Sequence, residues 1–187
     1  MFYTDSELKD LGFKSIGTNV KISKKTSIYG LKNIKIGNNV RIDDFCVISA
    51  GEKGIEIGNN VHIAVFCSII GQEKIVMKDF SGLSSRVSIY SSTDDYSGEF
   101  MTNPTVNSKF TNVINGEVII GKHVIVGAGT IILPNVEISD YSAVAALSLV
   151  TKNVDEFKIV GGVPAKVIKE RKNNLIDLEC EFLKNLL

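Results

Sequence analysis

Residues 120–150 read IGKHVIVGAGTIILPNVEISDYSAVAALSLV, with an aliphatic residue at every sixth position: Ile120, Val126, Ile132, Ile138, Val144 and Val150. A helix repeats every 3.6 residues and a strand every two, so a period of six belongs to neither alone. It fits a short strand followed by a corner. Two residues before these positions a second, smaller inward residue recurs, as at Val124, Thr130, Val136 and Ser148. Three such units close a triangle of about 18 residues, and stacked triangles form a parallel β-solenoid filled by a ladder of aliphatic side chains.

The period continues upstream. Ile16, Ile22 and Ile28 make one set, then Ile36, Ile42 and Ile48, then Ile57, Ile63 and Ile69, then Met77, Leu83 and Ile89, with smaller partners at Val20, Val40, Cys46, Val61, Cys67 and Val87. The first members of successive sets lie 20, 21 and 20 residues apart, so the early turns carry corner insertions. Composition agrees: 43 isoleucines and valines against 12 leucines favour extended backbone, because β-branching crowds a helix. Sixteen glycines and 15 asparagines supply corners that tolerate positive φ.

The expected architecture is all-β, a single domain over 1–187: an N-terminal cap (1–15), a β-helix (16–155) interrupted by a loop (94–117), and a C-terminal segment with a helix (156–187). Residues 3–11 (YTDSELKDL) read as a helix capped at Thr4 or Asp5 and covering the open first turn. Leu175, Leu178, Phe182 and Leu186 share one helical face, expected to cap the last turn. The long loop is too large for an idle connection.

With 21 basic and 21 acidic side chains, bulk attraction to nucleic acid is excluded as a function. No apolar run nears the ~20 residues needed to cross a bilayer, and Met1–Asp10 lacks a signal-peptide pattern, so the expected location is cytoplasmic. Cys46, Cys67 and Cys180 have neither disulfide nor zinc spacing and are expected to be reduced. Two histidines are too few for a metal trimer, and His123, at a corner, is expected to play a surface role.

From about Ile16 to Arg171 the tandem units resemble the hexapeptide-repeat acyltransferases. The resemblance implies a left-handed parallel β-helix, a homotrimer and an acyl-CoA site between subunits, with acetyl-CoA the expected co-substrate and no metal. The segment Val160-Gly161-Gly162-Val163-Pro164-Ala165-Lys166 is similar to the terminal G-x-P-A-[KR] signature. Small residues at Ala128, Gly129 and Ala146 would let pantetheine amides reach backbone. Thr151, Lys152, Lys166 and Lys169 are expected to hold the nucleotide phosphates.

The loop Tyr90-Ser91-Ser92-Thr93-Asp94-Asp95-Tyr96-Ser97-Gly98, with Ser84 and Ser85 before it, resembles the N-acyltransferases of dTDP-linked 4-amino-4,6-dideoxy sugars. By repeat count Asp94 stands where galactoside and maltose acetyltransferases carry their catalytic histidine. A carboxylate beside Asp95 can take a proton, and an amine needs a weaker base than a hydroxyl. His62 projects outward beside the acceptor pocket and is the alternative base. Ser84, Asp95, His62, Gln72 and Tyr90 are the expected acceptor-binding residues. The implied function is acyl transfer to the amino group of a nucleotide-linked deoxyamino sugar in surface polysaccharide or glycan synthesis. The alternatives are O-acetylation of a capsule or O-antigen sugar, and a non-catalytic scaffold; a scaffold needs neither the long loop nor the G-x-P-A-K ending.

Overall fold

The computed structural model describes residues 1–185 and shows a parallel β-solenoid of six full turns, each contributing one strand to each of three sheets, and part of a seventh. The first face stacks six strands from Ser15–Ile16 to Val136–Ile138, and the third stacks six from Ser27–Tyr29 to Leu149–Val150. The second face begins at Lys21–Ile22, reaches Lys158–Gly161 and ends with Lys166–Glu170. Every pairing on these faces is parallel except that last one.

Of the 18 ladder positions read from the sequence, 16 are buried, and Ile16 and Ile28, near the open end, are partly buried. In-register stacking places like on like: Ile42 over Ile63 and Leu83 on the second face, Ile69, Ile89, Ile132 and Val150 on the third. The inward position two residues earlier is large on the first face (Ile34, Ile55, Ile75) and small after the other corners (Cys46, Cys67, Thr130, Ser148). The triangle is thus filled by unequal partners.

The corners between the first and second faces place Asn19, Asn39, Asn60, Phe80, His123, Tyr141 and Phe157 at positive φ. Each of the middle ones donates its N–H to the preceding turn, as in Asn39 to the Thr18 carbonyl (2.9 Å) and Tyr141 to that of Lys122 (2.7 Å). The left-handed conformation costs a bulky residue about 1–3 kcal/mol. The hydrogen-bond ladder imposes it regardless of side chain.

At the N-terminus the helix α1 (Asp5–Asp10) is capped by Thr4, which exchanges hydrogen bonds with Glu7 in a capping box, and its Leu8 joins the core, closing the first turn as expected. The C-terminus departs from expectation. The solenoid runs a partial turn beyond residue 155, to Gly161, and Lys166–Glu170 folds back antiparallel along that strand. Helix α2 (Leu175–Lys184) therefore does not cap the last turn: it lies along the side of the solenoid. Leu186 lies outside the described residues.

His123 explains where the helix docks. Its ring stacks on Phe80 (centroids 4.8 Å apart) and on Tyr141 (5.5 Å), and Tyr141 stacks on Phe157 (5.0 Å), one aromatic per turn down the corner. Phe182 meets Phe80 edge-on, while Glu179 receives Lys122 at 2.5 Å and His123 Nε2 at 3.0 Å. Arg171 donates to the carbonyls of His123, Tyr141 and Ser142. His123 is thus a packing residue with its side chain only 12% exposed, not the surface residue expected from its corner position.

Candidate active site

The corners between the second and third faces stack into a column parallel to the solenoid axis. It contains in turn Asp43–Phe45, Ala64–Phe66, Ser84–Arg86, Gly127–Gly129 and Ala145–Leu147. The turns are tied by hydrogen bonds from Arg86 to Val65 (3.0 Å), Gly129 to Ser85 (3.0 Å) and Leu147 to Ala128 (2.8 Å). The G-G-V-P-A-K segment turns over the top of this column: Leu149 donates to the Gly162 carbonyl, Ala165 to that of Leu149, and Gly162 to Ser148 Oγ. One line on the surface thereby joins Ser84, Ala128, Gly129, Ala146 and the approach to Lys166, which come from separate stretches of the sequence.

Small residues are obligatory along the upper part of this line. A Cβ on Gly127 would stand 2.4 Å from the amide nitrogen of Ala146, and one on Gly129, at φ +72, 2.8 Å from Leu147 Cδ2. Ala128 and Ala146 are exposed. The result is a strip along which Gly127, Ala128, Gly129 and Ala146 leave backbone accessible, edged by Leu147, whose side chain is 75% exposed, and suited to a flexible chain bearing amide groups. Lys166 and Lys169 lie exposed on the returning strand, whereas Thr151 and Lys152 follow the third-face strand Leu149–Val150, so the four phosphate-binding candidates form two groups.

Beside Ser84 the second face opens into a cleft of about 560 Å³ lined by Asn60, His62, Ala64, Gly82, Ser84 and Ile125, with Arg171 and Leu175 at its edge. The outward column of this face reads Arg41, His62, Gly82, Ile125 in register. Gly82 leaves the floor bare: a Cβ there would have only ordinary contacts, at 3.5 Å from Ile125 and 3.7 Å from His62. His62 reaches Asp43 through Nε2 at 2.8 Å. Behind the cleft, the buried Cys67 thiol donates to the Ser84 carbonyl at 3.2 Å, and hydrogen bonding with Cys46, reinforced by burial, pushes the Cys67 thiol pKa up.

Asp94 and its neighbours stand elsewhere. They follow the third-face strand Ser88–Tyr90, at whose end Ser92–Thr93 pairs antiparallel with Ile114–Asn115 and closes the base of the loop. Asp95 is buried and serves the loop itself: its carboxylate accepts from the Ser97 amide at 2.5 Å and from Asn112 at 3.5 Å. The hydrogen bonds from Ser97 hold the Asp95 carboxyl below its ordinary pKa and outweigh burial. Asp94, half-buried and next to that charge, has no such ties among the described residues. Gln72 lines a separate cavity of about 420 Å³ with Glu52, Lys53 and Asn115. One chain therefore brings His62 and Ser84 together and leaves Asp94, Tyr90 and Gln72 at the far end of the third face.

The loop carries an unusual share of exposed apolar surface: Phe100, Met101, Phe110 and Ile114 are each between 43% and 56% exposed. Helix α2 adds Leu178 and Phe182. No helix among the described residues is long and apolar enough to cross a membrane, and they hold no cluster of metal-binding side chains.

Comparison with known proteins finds no matching family model. A dTDP-4-amino-4,6-dideoxy-D-glucose acyltransferase from Escherichia coli is 55% identical over 183 residues, 97% of this chain and 95% of that protein. AntD, an N-acyltransferase from Bacillus cereus, has been solved in complex with dTDP and 3-hydroxybutyryl-CoA. It superposes with a TM-score of 0.95 at 48% identity, covering 99% of this chain and 97% of AntD. An AntD variant holding dTDP-4-amino-4,6-dideoxyglucose and coenzyme A superposes equally well, covering 98% and 97%.

Proposed function

The chain belongs to the dTDP-4-amino-4,6-dideoxy-D-glucose acyltransferases, and we propose that it moves an acetyl or slightly larger acyl group from CoA to the amino group of that nucleotide sugar, at a site shared by neighbouring subunits of a homotrimer. It is a CoA-dependent N-acyltransferase acting on a nucleotide-linked amino sugar. The observation that carries the chemistry is the run of small residues, Gly127–Gly129 and Ala145–Ala146, stacked between the Gly161–Lys166 turn and Ser84. Pantetheine lying along it delivers the thioester beside the cleft that holds His62.

In this reading the neutral amine attacks the thioester carbonyl. The new C–N bond forms as the C–S bond breaks, and the amine proton passes to Asp94 and finally to the departing thiolate. Asp94 acts as the base, with His62 the alternative, and Ser84 orients the acceptor. Lys166 and Lys169 meet the phosphates of CoA, with Thr151 and Lys152 the further candidates, and Gln72 and Tyr90 contact the sugar nucleotide near the loop. The separation of Ser84 from Asp94 within one chain supports the trimer, because the loop of a neighbouring subunit can bring Asp94 to the cleft. AntD variants altered at the serine and the aspartate that AntD numbers 84 and 94 have been solved with dTDP and coenzyme A. This chain has serine and aspartate at the same two numbers. Use of acyl-CoA favours a cytoplasmic location, where the thiols of Cys46 and Cys67 also stay reduced.

Mass detection after incubation with acyl-CoA and dTDP-4-amino-4,6-dideoxyglucose tests the reaction. The expected product is the N-acyl sugar nucleotide with stoichiometric free CoA. Acylation of a sugar hydroxyl in place of the amine would refute the assignment.

A further inference from the structure

Resting on the proposed acceptor site, we infer that Asp43 is a positioning residue: it fixes the His62 ring with its proton on Nε2 and so turns the Nδ1 lone pair to the acceptor cleft. The geometry is that of a carboxylate–imidazole pair with unequal exposure. Asp43 Oδ2 lies 2.8 Å from His62 Nε2, and the two side chains are 14% and 54% exposed. A partly buried carboxylate thus anchors a ring that lines the cleft containing Ser84.

Asp43 is held on every side. Its second oxygen accepts from Arg41 Nε at 2.7 Å, its amide donates to the Ile63 carbonyl at 2.9 Å, and its own carbonyl accepts from the Thr26 hydroxyl at 3.0 Å. Arg41 is paired in register with His62 one turn away, so arginine, aspartate and histidine form one linked group across two turns. Burial pushes the Asp43 carboxyl up, but the bonds from His62 and Arg41 outweigh it and hold the group below its ordinary range. An ionised carboxylate accepts and cannot donate, so the nitrogen facing it must carry the proton. Nδ1 has no partner among the described residues, and the next residue along the column is Gly82, which leaves the space over the ring open.

His123 supplies the contrast within the same chain. Its Nε2 also meets a carboxylate, that of Glu179, but its ring is sandwiched between Phe80 and Tyr141 and its side chain is 12% exposed. The same pairing fastens a helix in one place and presents a free nitrogen in the other. Nδ1 of His62 would accept a hydrogen bond from the N–H of the uncharged acceptor amine or from an adjacent sugar hydroxyl. That contact orients the nucleophile without forming or breaking a bond in Asp43 or His62.

With only two histidines, selective ¹⁵N-histidine labelling of the full-length oligomer gives two ring systems, assigned by a His62→Asn variant. Recorded at alkaline pH, the wild-type spectrum is expected to show His62 as a single tautomer protonated at Nε2. In Asp43→Ala this signature should collapse to a tautomer mixture, while kcat/KM for the amino sugar falls about tenfold or more and KM for acyl-CoA is unchanged. A wild-type His62 protonated at Nδ1, or already averaged between tautomers, overturns the inference even if the variant fails to fold. Unchanged acceptor kinetics in a folded variant overturns it too. If the wild-type enzyme does not acylate the amino sugar, the proposed function fails, and the tautomer still reports on Asp43 separately.

Discussion

Replacing Ile132 probes the ladder on which every other feature rests. Ile132 is fully buried and stacked in register between Ile89 on the preceding turn and Val150 on the following one. Ile132→Ala removes three carbon groups, about 2.4 kcal/mol of transfer energy at ~0.8 per methylene. The cavity adds ~1–2 kcal/mol if most of the lost volume stays empty. It should stay largely empty, because hydrogen-bonded turns hold neighbouring strands about 4.8 Å apart and cannot close the gap. The expected loss is about 4 kcal/mol, against about 1 for Ile132→Val. Ile132→Asp would place an unpaired charge among aliphatic side chains and should prevent folding. Chemical denaturation at one fixed protein concentration, which matters for an oligomer, measures the series. An alanine variant within ~0.5 kcal/mol of wild type, or an aspartate variant that folds, would refute the inward register.

Three further perturbations address the site and its support. Asp94→Asn keeps the shape and removes the proposed base, so turnover should fall by about 10²- to 10⁴-fold with acyl-CoA binding intact; a change of only a few-fold would shift the role to His62. Lys166→Ala and Lys169→Ala should each raise KM for acyl-CoA roughly three- to fivefold while that for the amino sugar stays constant. Lys122 and His123 hold the Glu179 carboxyl below its ordinary range although burial pushes it up. The folded-state pKa is therefore depressed: its contribution to helix docking is present above the unfolded value of about 4.3 and is lost as pH falls through the folded one. Hydrogen exchange, corrected for intrinsic rates, should show Leu175–Lys184 loosening in acid before the solenoid strands do, and Glu179→Gln should remove that pH dependence.

The solenoid was legible because its information is repeated. Ile63, Ile69 and Leu83 each carry the same instruction as their neighbours above and below, so no single position decides the register. Asn19, Asn39 and Asn60 also announce their left-handed corners, since asparagine tolerates positive φ. Phe80, Tyr141 and Phe157 do not, because there the backbone ladder imposes a conformation that the side chain opposes. The docking of α2 was hidden for a related reason: Glu179 finds Lys122 and His123, more than 50 residues away in sequence, only after the corners have stacked.

At the site, Ala128 and Ala146 fall on one line because one 18-residue turn separates them, whereas Ser84 joins the line across the long loop through the stacking of Gly82–Leu83 on Ile125–Val126. The partner of His62 was missed, although Arg41 and Asp43 lie on the outward side of the turn before it. A search for charged residues 19 to 21 positions upstream would have found both. Asp94 is a different case, since one chain leaves it beyond the third-face strand Ser88–Tyr90, away from Ser84.

Mixing two crippled variants tests this shared site most directly. Ser84→Ala and Asp94→Asn should each be nearly inactive alone, with Ser84→Ala retaining a sound loop and Asp94→Asn a sound cleft. If acyl transfer takes place between subunits, trimers formed at random from equal amounts of the two contain intact sites at about one interface in four. Co-refolded mixtures should then recover about a quarter of wild-type N-acylation. A mixture no more active than its separate components would place Ser84 and Asp94 in one chain's site and contradict the account.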